Sequence, residues 1–145
     1  MRLDLSSWQA WAFLSAVFAA LTAIFGKIGV QGLNSDFATL IRTIVIVLVL
    51  GAIVAFTGAA QPLSKIPPRT LIFLVLSALA TGGSWLCYYR ALKLGPASGV
   101  APIDKLSVVM VAVFAALFLG EHPSPRAWAG IALIAGGAAL VASGG

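Results

Sequence analysis

Residues 88–121 read YYRALKLGPASGVAPIDKLSVVMVAVFAALFLGE and carry the most informative pattern in the chain. They hold the end of one apolar segment, a Gly95-Pro96 turn, and a second apolar segment long enough to cross a bilayer. Asp104 and Lys105 lie inside that second segment, where each charge costs about 2.5–3.5 kcal/mol at the centre of a lipid-exposed helix. The pair therefore indicates a polar partner or a solute pathway within a helical bundle.

The composition is that of an integral membrane protein. Of 145 residues, 61% are hydrophobic and 9% are charged, with a mean hydropathy of +1.06, whereas soluble domains are about 45–50% apolar and about 25% charged. The nine Lys and Arg residues are scattered singly, so they do not form the basic stripe that binds nucleic acid, and we predict no nucleic-acid partner. One cysteine, one histidine and four scattered carboxylates indicate no disulfide, metal site, cofactor or enzyme active site.

The apolar runs predict an all-α membrane protein with five transmembrane helices in a single domain over residues 1–145. The predicted helices lie at about 8–28, 37–56, 71–89, 97–119 and 127–142. The first run is too long for a signal peptide, and four more spans follow it. Asn34 or Ser35 is predicted to cap the second helix, and Ser124-Pro125 to begin the fifth.

Charged residues from four of these helices lie toward one side of the predicted bilayer: Lys27, Arg42, Arg90, Asp104 and Lys105. A neutral hydrocarbon core would not tolerate their net positive charge, so we expect some of them to face a water-filled cavity. Three interpretations stay open for Arg42. Its side chain snorkels back to the nearer membrane surface, or it forms a structural ion pair with Asp104, or it receives an anionic substrate group, as Lys105 would, while Asp104 takes a proton.

Further residues are predicted to line this cavity or to act as hinges in the helices. Ser15 and Thr22 share one face of the first helix, where they either line the cavity or pack against a neighbouring helix. Trp85 lies deep in the third helix and is predicted to line the site, while Tyr88 and Tyr89 are interpreted as an interfacial belt. The predicted hinges are Pro102 and the glycines Gly82 and Gly83, which interrupt the third apolar run.

The orientation of the chain is weakly specified. Five spans place the termini on opposite sides, and the Lys and Arg residues divide four against five, the first group being Arg2, Lys65, Arg69 and Arg126. Because this bias is small, we predict insertion in both orientations and an antiparallel homodimer, although a single orientation stays open.

The sequence also resembles a known family. LGPASGVAPIDKLSVVMVAVFAALFLGE (94–121), followed by PRAWAGIALIAGGAALV (125–141), resembles the last two helices of an EamA-type domain of the drug/metabolite transporter superfamily. TAIFGKIGVQGLNSDFATLIRTIVIV (22–47) is similar to its five-helix bacterial branch. The resemblance implies a half-unit of the ten-helix members, in which two such units are fused with opposite orientation, located in the bacterial cytoplasmic (inner) membrane.

The same superfamily includes small multidrug resistance proteins, which work as antiparallel dimers with a glutamate in the first helix. The first apolar run here has no carboxylate, so their cation mechanism does not carry over. We therefore predict a secondary transporter that moves a small anionic or zwitterionic metabolite by alternating access, as a dimer. The alternatives are a non-transporting subunit that pairs with another five-helix chain, and a flippase for a lipid-linked anionic head group.

Overall fold

The computed structural model describes residues 7–144, and within that range it contains helices and no strand. The helices are α1 (Trp8–Gly29), α2 (Ser35–Thr57), α3 (Pro68–Leu94), α4 (Ala97–Asp104), α5 (Ser107–Phe118) and α6 (Pro125–Ser143), with a single 3₁₀ turn at Leu63–Lys65. Five segments are long and apolar enough to cross a membrane, with α4 and α5 counted as one, Ala97–Phe118. The predicted all-α, multi-pass fold class is confirmed. Arg2, which entered the orientation argument, lies outside the described residues.

The predicted helix starts agree with local capping chemistry. The Asn34 side chain accepts hydrogen bonds from the backbone N–H groups of Asp36 (2.8 Å) and Phe37 (3.2 Å), which caps α2. The Ser124 hydroxyl accepts from the Ala127 N–H at 3.2 Å, with Pro125 in the first turn of α6. The third helix, Pro68–Leu94, is longer at both ends than the predicted span 71–89, so Arg90 and Lys93 lie inside its last two turns.

The predicted fourth helix, 97–119, is two helices in the structure. α4 ends at Asp104 and α5 begins at Ser107. The Lys105 N–H donates to the carbonyls of both Ala101 (3.2 Å) and Pro102 (3.1 Å), so the chain tightens into a 3₁₀-like turn there. Pro102 lacks the N–H that would donate to the Ser98 carbonyl, and the interruption lies a few residues after it, at Lys105 and Leu106.

The glycines of α3 do not interrupt the helix, although the sequence predicts an interruption there. α3 is continuous through Gly82 and Gly83, and a Cβ added at either would meet nothing within 4 Å. The helix is therefore not interrupted there, and hinge movement at these glycines stays a prediction. A close approach occurs at Gly26 instead, where a Cβ would lie 3.0 Å from the Tyr89 hydroxyl oxygen.

The chain divides into two compact units. The terminal unit comprises residues 1–25 and 94–145, of which 7–25 and 94–144 are described, and in it α4 and α5 both pack against α6. Ala115 of α5 and Ala138 of α6 are buried, as expected for helices that meet through small side chains. α1 runs from this unit into the other, and the prediction of a single domain stays a prediction.

The central unit, residues 26–93, holds the end of α1, all of α2 and nearly all of α3. Its largest fully buried side chains are Val30 and Leu92, and Tyr89 is only 6% exposed. These residues, with Ser35, Ala38 and Thr39, cluster where α2 begins and α3 ends. The core of this unit thus occupies one end of the α2–α3 pair.

Candidate functional site

Charged side chains close one end of the central unit. Arg90 forms a two-pronged ion pair with Asp36, from Nε to Oδ1 at 3.0 Å and from Nη2 to Oδ2 at 2.7 Å. This geometry joins the start of α2 to the end of α3 with a charge-assisted pair of hydrogen bonds.

Two lysines add to this closure. Lys93 Nζ donates to the Leu33 carbonyl at 2.8 Å, and Lys27 Nζ donates to the Leu92 carbonyl at 2.6 Å. Leu92 lies in the last turn of α3, where carbonyls have no helical donor, so a lysine is a favourable partner there. The charges that the sequence placed near helix ends therefore hold those ends together.

A groove of about 570 Å³ runs between α2 and α3. Its walls carry polar and apolar side chains from both helices. The lining residues are Asp36, Thr39, Leu40, Thr43, Ile46, Leu74, Ser77, Ala78, Thr81, Gly82, Trp85 and Leu86. The absence of a side chain at Gly82 leaves space in one wall. This volume is within the range of small-molecule sites, about 300–1,000 Å³.

The groove threonines share one hydrogen-bond pattern. Thr39 donates to the Ser35 carbonyl at 2.9 Å, Thr43 to the Thr39 carbonyl at 2.7 Å, and Thr81 to the Ser77 carbonyl at 2.9 Å. Each hydroxyl proton thus points along its own helix, and the lone pairs of the oxygen stay available as acceptors.

Arg42 lies against the aromatic end of the groove. Its guanidinium carbon is 3.9 Å from the ring centroid of Trp85 and 5.1 Å from that of Tyr89. Both are cation–π distances. Arg42 Nη1 is buried and has no hydrogen-bond partner within the described residues, whereas most buried polar groups in proteins bond to protein atoms or ordered water.

The predicted site residues fall into both units. Arg42, Trp85, Lys27 and Arg90 belong to the central unit, together with the predicted hinge glycines. Ser15, Thr22, Pro102, Asp104 and Lys105 belong to the terminal unit.

Within the terminal unit, Ser15 is exposed, Thr22 is half-buried, and Asp104 Oδ2 lies 3.5 Å from Lys105 Nζ. The bridge between Arg42 and Asp104 joins residues of different units and stays a prediction, as do the substrate roles of all these residues.

Sequence reasoning missed several residues of the groove. Thr39 with Thr43 and Ser77 with Thr81 follow an i, i+4 spacing of hydroxyls within apolar runs, a signal that was present in the sequence. Tyr89, which the sequence places in an interfacial belt, is only 6% exposed, with its ring against Gly26 and Arg42, and its position relative to the membrane interface stays a prediction. No local pattern indicates this, since it depends on the approach of α1 and α3.

Within residues 7–144, no group of three His, Cys, Asp or Glu side chains lies close enough to hold a metal ion.

Comparison with known proteins gives a consistent result. The profile of the EamA-like transporter family matches residues 6–143. A Sinorhizobium protein named as an uncharacterized transporter in the cobO 3' region is 65% identical over 136 residues, which cover 94% of this chain and 96% of that protein. No solved structure matches the chain.

Proposed function

The chain belongs to the EamA-like transporter family, and from that premise we propose that it is a secondary transporter which moves a small metabolite across the bacterial cytoplasmic membrane by alternating access. Membership in this family makes the protein a transporter and not an enzyme. Its five apolar spans make it a multi-pass membrane protein. The cargo class, the oligomer and the membrane are parts of the proposal.

The single observation that carries the proposal is Arg42. Its Nη1 atom is buried without a hydrogen-bond partner, beside a tryptophan that lines the groove. A guanidinium inside a membrane protein is retained where it serves a partner or a pathway. Its planar fork suits a carboxylate or a phosphate, so this geometry favours anionic or zwitterionic cargo over cationic cargo.

The test replaces Arg42 with glutamine and measures flux of the cargo into vesicles that contain the purified protein. The cargo is first chosen by melting shifts in detergent across anionic, zwitterionic and cationic metabolites. Arg42→Gln should abolish flux of the anionic or zwitterionic cargo. The control is Arg69→Gln, because Arg69 is also stacked on an aromatic ring, Phe73 at 5.9 Å, but is exposed at the start of α3. Equal flux through both variants would contradict the role of Arg42.

Asp104 is proposed as the proton-binding group. It lies at the break between α4 and α5, half-exposed and 3.5 Å from Lys105 Nζ, where a helix interruption allows local movement. Asp104→Asn and Lys105→Ala should abolish proton-coupled flux while the protein still inserts and dimerises. Misfolding of both variants would instead support a purely structural ion pair.

The functional unit is proposed to be an antiparallel homodimer. The test fuses a compartment-sensitive reporter pair to the C-terminus at Gly145, which lies outside the described residues. Signal from both sides of the membrane would support dual topology. Signal from a single side would point to a partner chain of opposite orientation, which is the alternative of a paired, non-transporting subunit. Binding of lipid-linked head groups alone in the melting screen would favour the flippase alternative.

A further inference from the structure

We propose that the groove between α2 and α3 selects cargo that carries N–H or O–H donors beside an apolar stem. The hydroxyl oxygens of Thr39, Thr43 and Thr81 are the specificity-determining acceptors. This inference rests on the proposed transport function and names the part of the cargo that the groove recognises.

The direction of the threonine hydrogen bonds sets this preference. A hydroxyl has one proton and two acceptor positions, and each of these three protons is donated to a carbonyl of its own helix at 2.7–2.9 Å. All three residues line the groove, and their exposure increases from Thr39, which is 6% exposed, through half-buried Thr43 to exposed Thr81. Each oxygen therefore keeps lone pairs at the groove wall that its own helix does not use. A cargo acceptor would have to break a helix-side bond to be satisfied, whereas a cargo donor satisfies these oxygens as they stand.

The acceptors lie on both walls. Thr39 and Thr43 are one turn apart on α2, about 6 Å along the helix, and Thr81 faces the groove from α3. Asp36 adds a carboxylate at the same groove, which Arg90 already neutralises in part. The walls are thus rich in hydrogen-bond acceptors.

The remaining lining residues indicate which apolar stem the cargo would carry. Leu40, Ile46, Leu74 and Leu86 are apolar, and Trp85 offers an aromatic surface. This lining suits an aliphatic or aromatic portion of a few carbon atoms. A bare lipid chain would contact only the apolar part, whereas a donor-bearing cargo would contact the apolar part and also bond the threonine oxygens.

The experiment uses three matched probes and the full chain in detergent. ε-Aminocaproate carries N–H donors, its N-trimethyl derivative keeps the positive charge without donors, and caproate lacks the nitrogen. Binding is followed by the concentration-dependent shift of the melting temperature. We expect ε-aminocaproate to bind more tightly than either of the other two.

The variants replace each groove threonine by valine, which has the same shape and no hydroxyl. Thr39→Val, Thr43→Val and Thr81→Val should each weaken ε-aminocaproate binding about threefold to tenfold, the usual worth of one hydrogen bond. They should leave caproate binding unchanged. The matched control is Thr57→Val, because Thr57 also donates to an i−4 carbonyl, Ile53 at 2.7 Å, on the same helix but outside the groove.

Three results would overturn the inference. The first is equal binding of ε-aminocaproate and its trimethyl derivative, and the second is an equal loss in Thr57→Val. The third is a change in dimerisation instead of affinity in the threonine variants, which would mean that a helix of a second copy occupies the groove. None of these results would remove transport itself, which is judged separately by flux through Arg42→Gln and its control.

Discussion

The two ends of the α2–α3 pair differ in burial and in the contacts that join the helices. At the closed end, residues 26–39 and 89–93, an ion pair and two lysine-to-carbonyl bonds surround the buried residues Val30, Tyr89 and Leu92. At the open end, residues 47–57 and 72–81, every residue is exposed, and the connection between the helices is a proline-containing loop with one 3₁₀ turn. The pair is tied at one end and separated along the groove.

The difference shows how one chain combines a fixed point with an accessible site. Paired charged side chains fix the helix ends. Free carbonyls at a helix C-terminus favour a cation, and a helix N-terminus favours an anion. The groove begins at the tether residue Asp36 and extends toward the open end, and its threonines change from buried at Thr39 to exposed at Thr81. Arg42 lies between the two regions, stacked on Trp85 and Tyr89 with one nitrogen unsatisfied. Anchoring at one end and the proposed binding beside it thus depend on largely different residues.

The largest effect should come from removing the buried leucine of the closed end. Leu92→Ala should lower the free energy of unfolding by about 2–5 kcal/mol, because the side chain is fully buried and its loss leaves a cavity. Leu94→Ala, two residues further on, changes a side chain that is 89% exposed and should have little effect. Thermal unfolding in detergent distinguishes them, and equal melting temperatures would mean that the closed end is not the core of this unit.

A smaller loss is expected from filling the close approach of α1 to α3. In Gly26→Ala the new Cβ would lie 3.0 Å from Tyr89 Oη and 3.2 Å from its Cζ, and the buried ring has little room to move. We expect a destabilisation of about 1–3 kcal/mol.

Gly29→Ala is the matched control on the same helix, because a Cβ there meets nothing within 4 Å. It should be neutral or stabilising by about 0.5–1 kcal/mol. If both variants melt alike, the contact between Gly26 and Tyr89 does not form.

The smallest effect should come from the exposed ion pair. Asp36→Asn removes one charge of a pair whose side chains are 60% and 45% exposed, so the melting temperature should fall only slightly. The difference from wild type should shrink as salt rises from about 0.1 M to about 1 M, because screening shortens from about 10 Å to about 3 Å. Glu121→Gln, at an exposed carboxylate outside this unit, is the control. A difference that is large and insensitive to salt would mean that the pair is buried in the functional protein.

Much of the fold follows from sequence because membrane helices are specified locally. Apolar runs gave the five spans, and Asn34 and Ser124 gave two helix starts, since each cap depends on residues a few positions apart. The interruption after Pro102 was indicated as a bend, although its place at Lys105 depends on how the last turn of α4 tightens.

The site was less predictable, because it depends on which helix faces meet. The depth of Arg42 and Trp85 in their apolar runs predicts a role at the site, whereas their stacking depends on how α2 meets α3. Arg90 was selected as a site residue, and its pairing with Asp36 spans 54 positions of sequence, which no local pattern encodes. The i, i+4 spacing of hydroxyl residues indicates the groove threonines from sequence alone. No local pattern predicts the burial of Tyr89.

The most direct test of the central claim asks whether the groove is a water-filled cargo site. In a Cys87→Ser background, Ser77→Cys places a thiol in the groove, and Leu79→Cys places one two residues on, on the opposite side of α3 at nearly the same depth. We expect a water-soluble maleimide to label the groove thiol in intact membranes and not the thiol at position 79, because the reactive thiolate forms in water. A saturating cargo should slow the labelling at position 77. Equal labelling at both positions, or labelling at position 77 that a bound cargo leaves unchanged, would contradict the account.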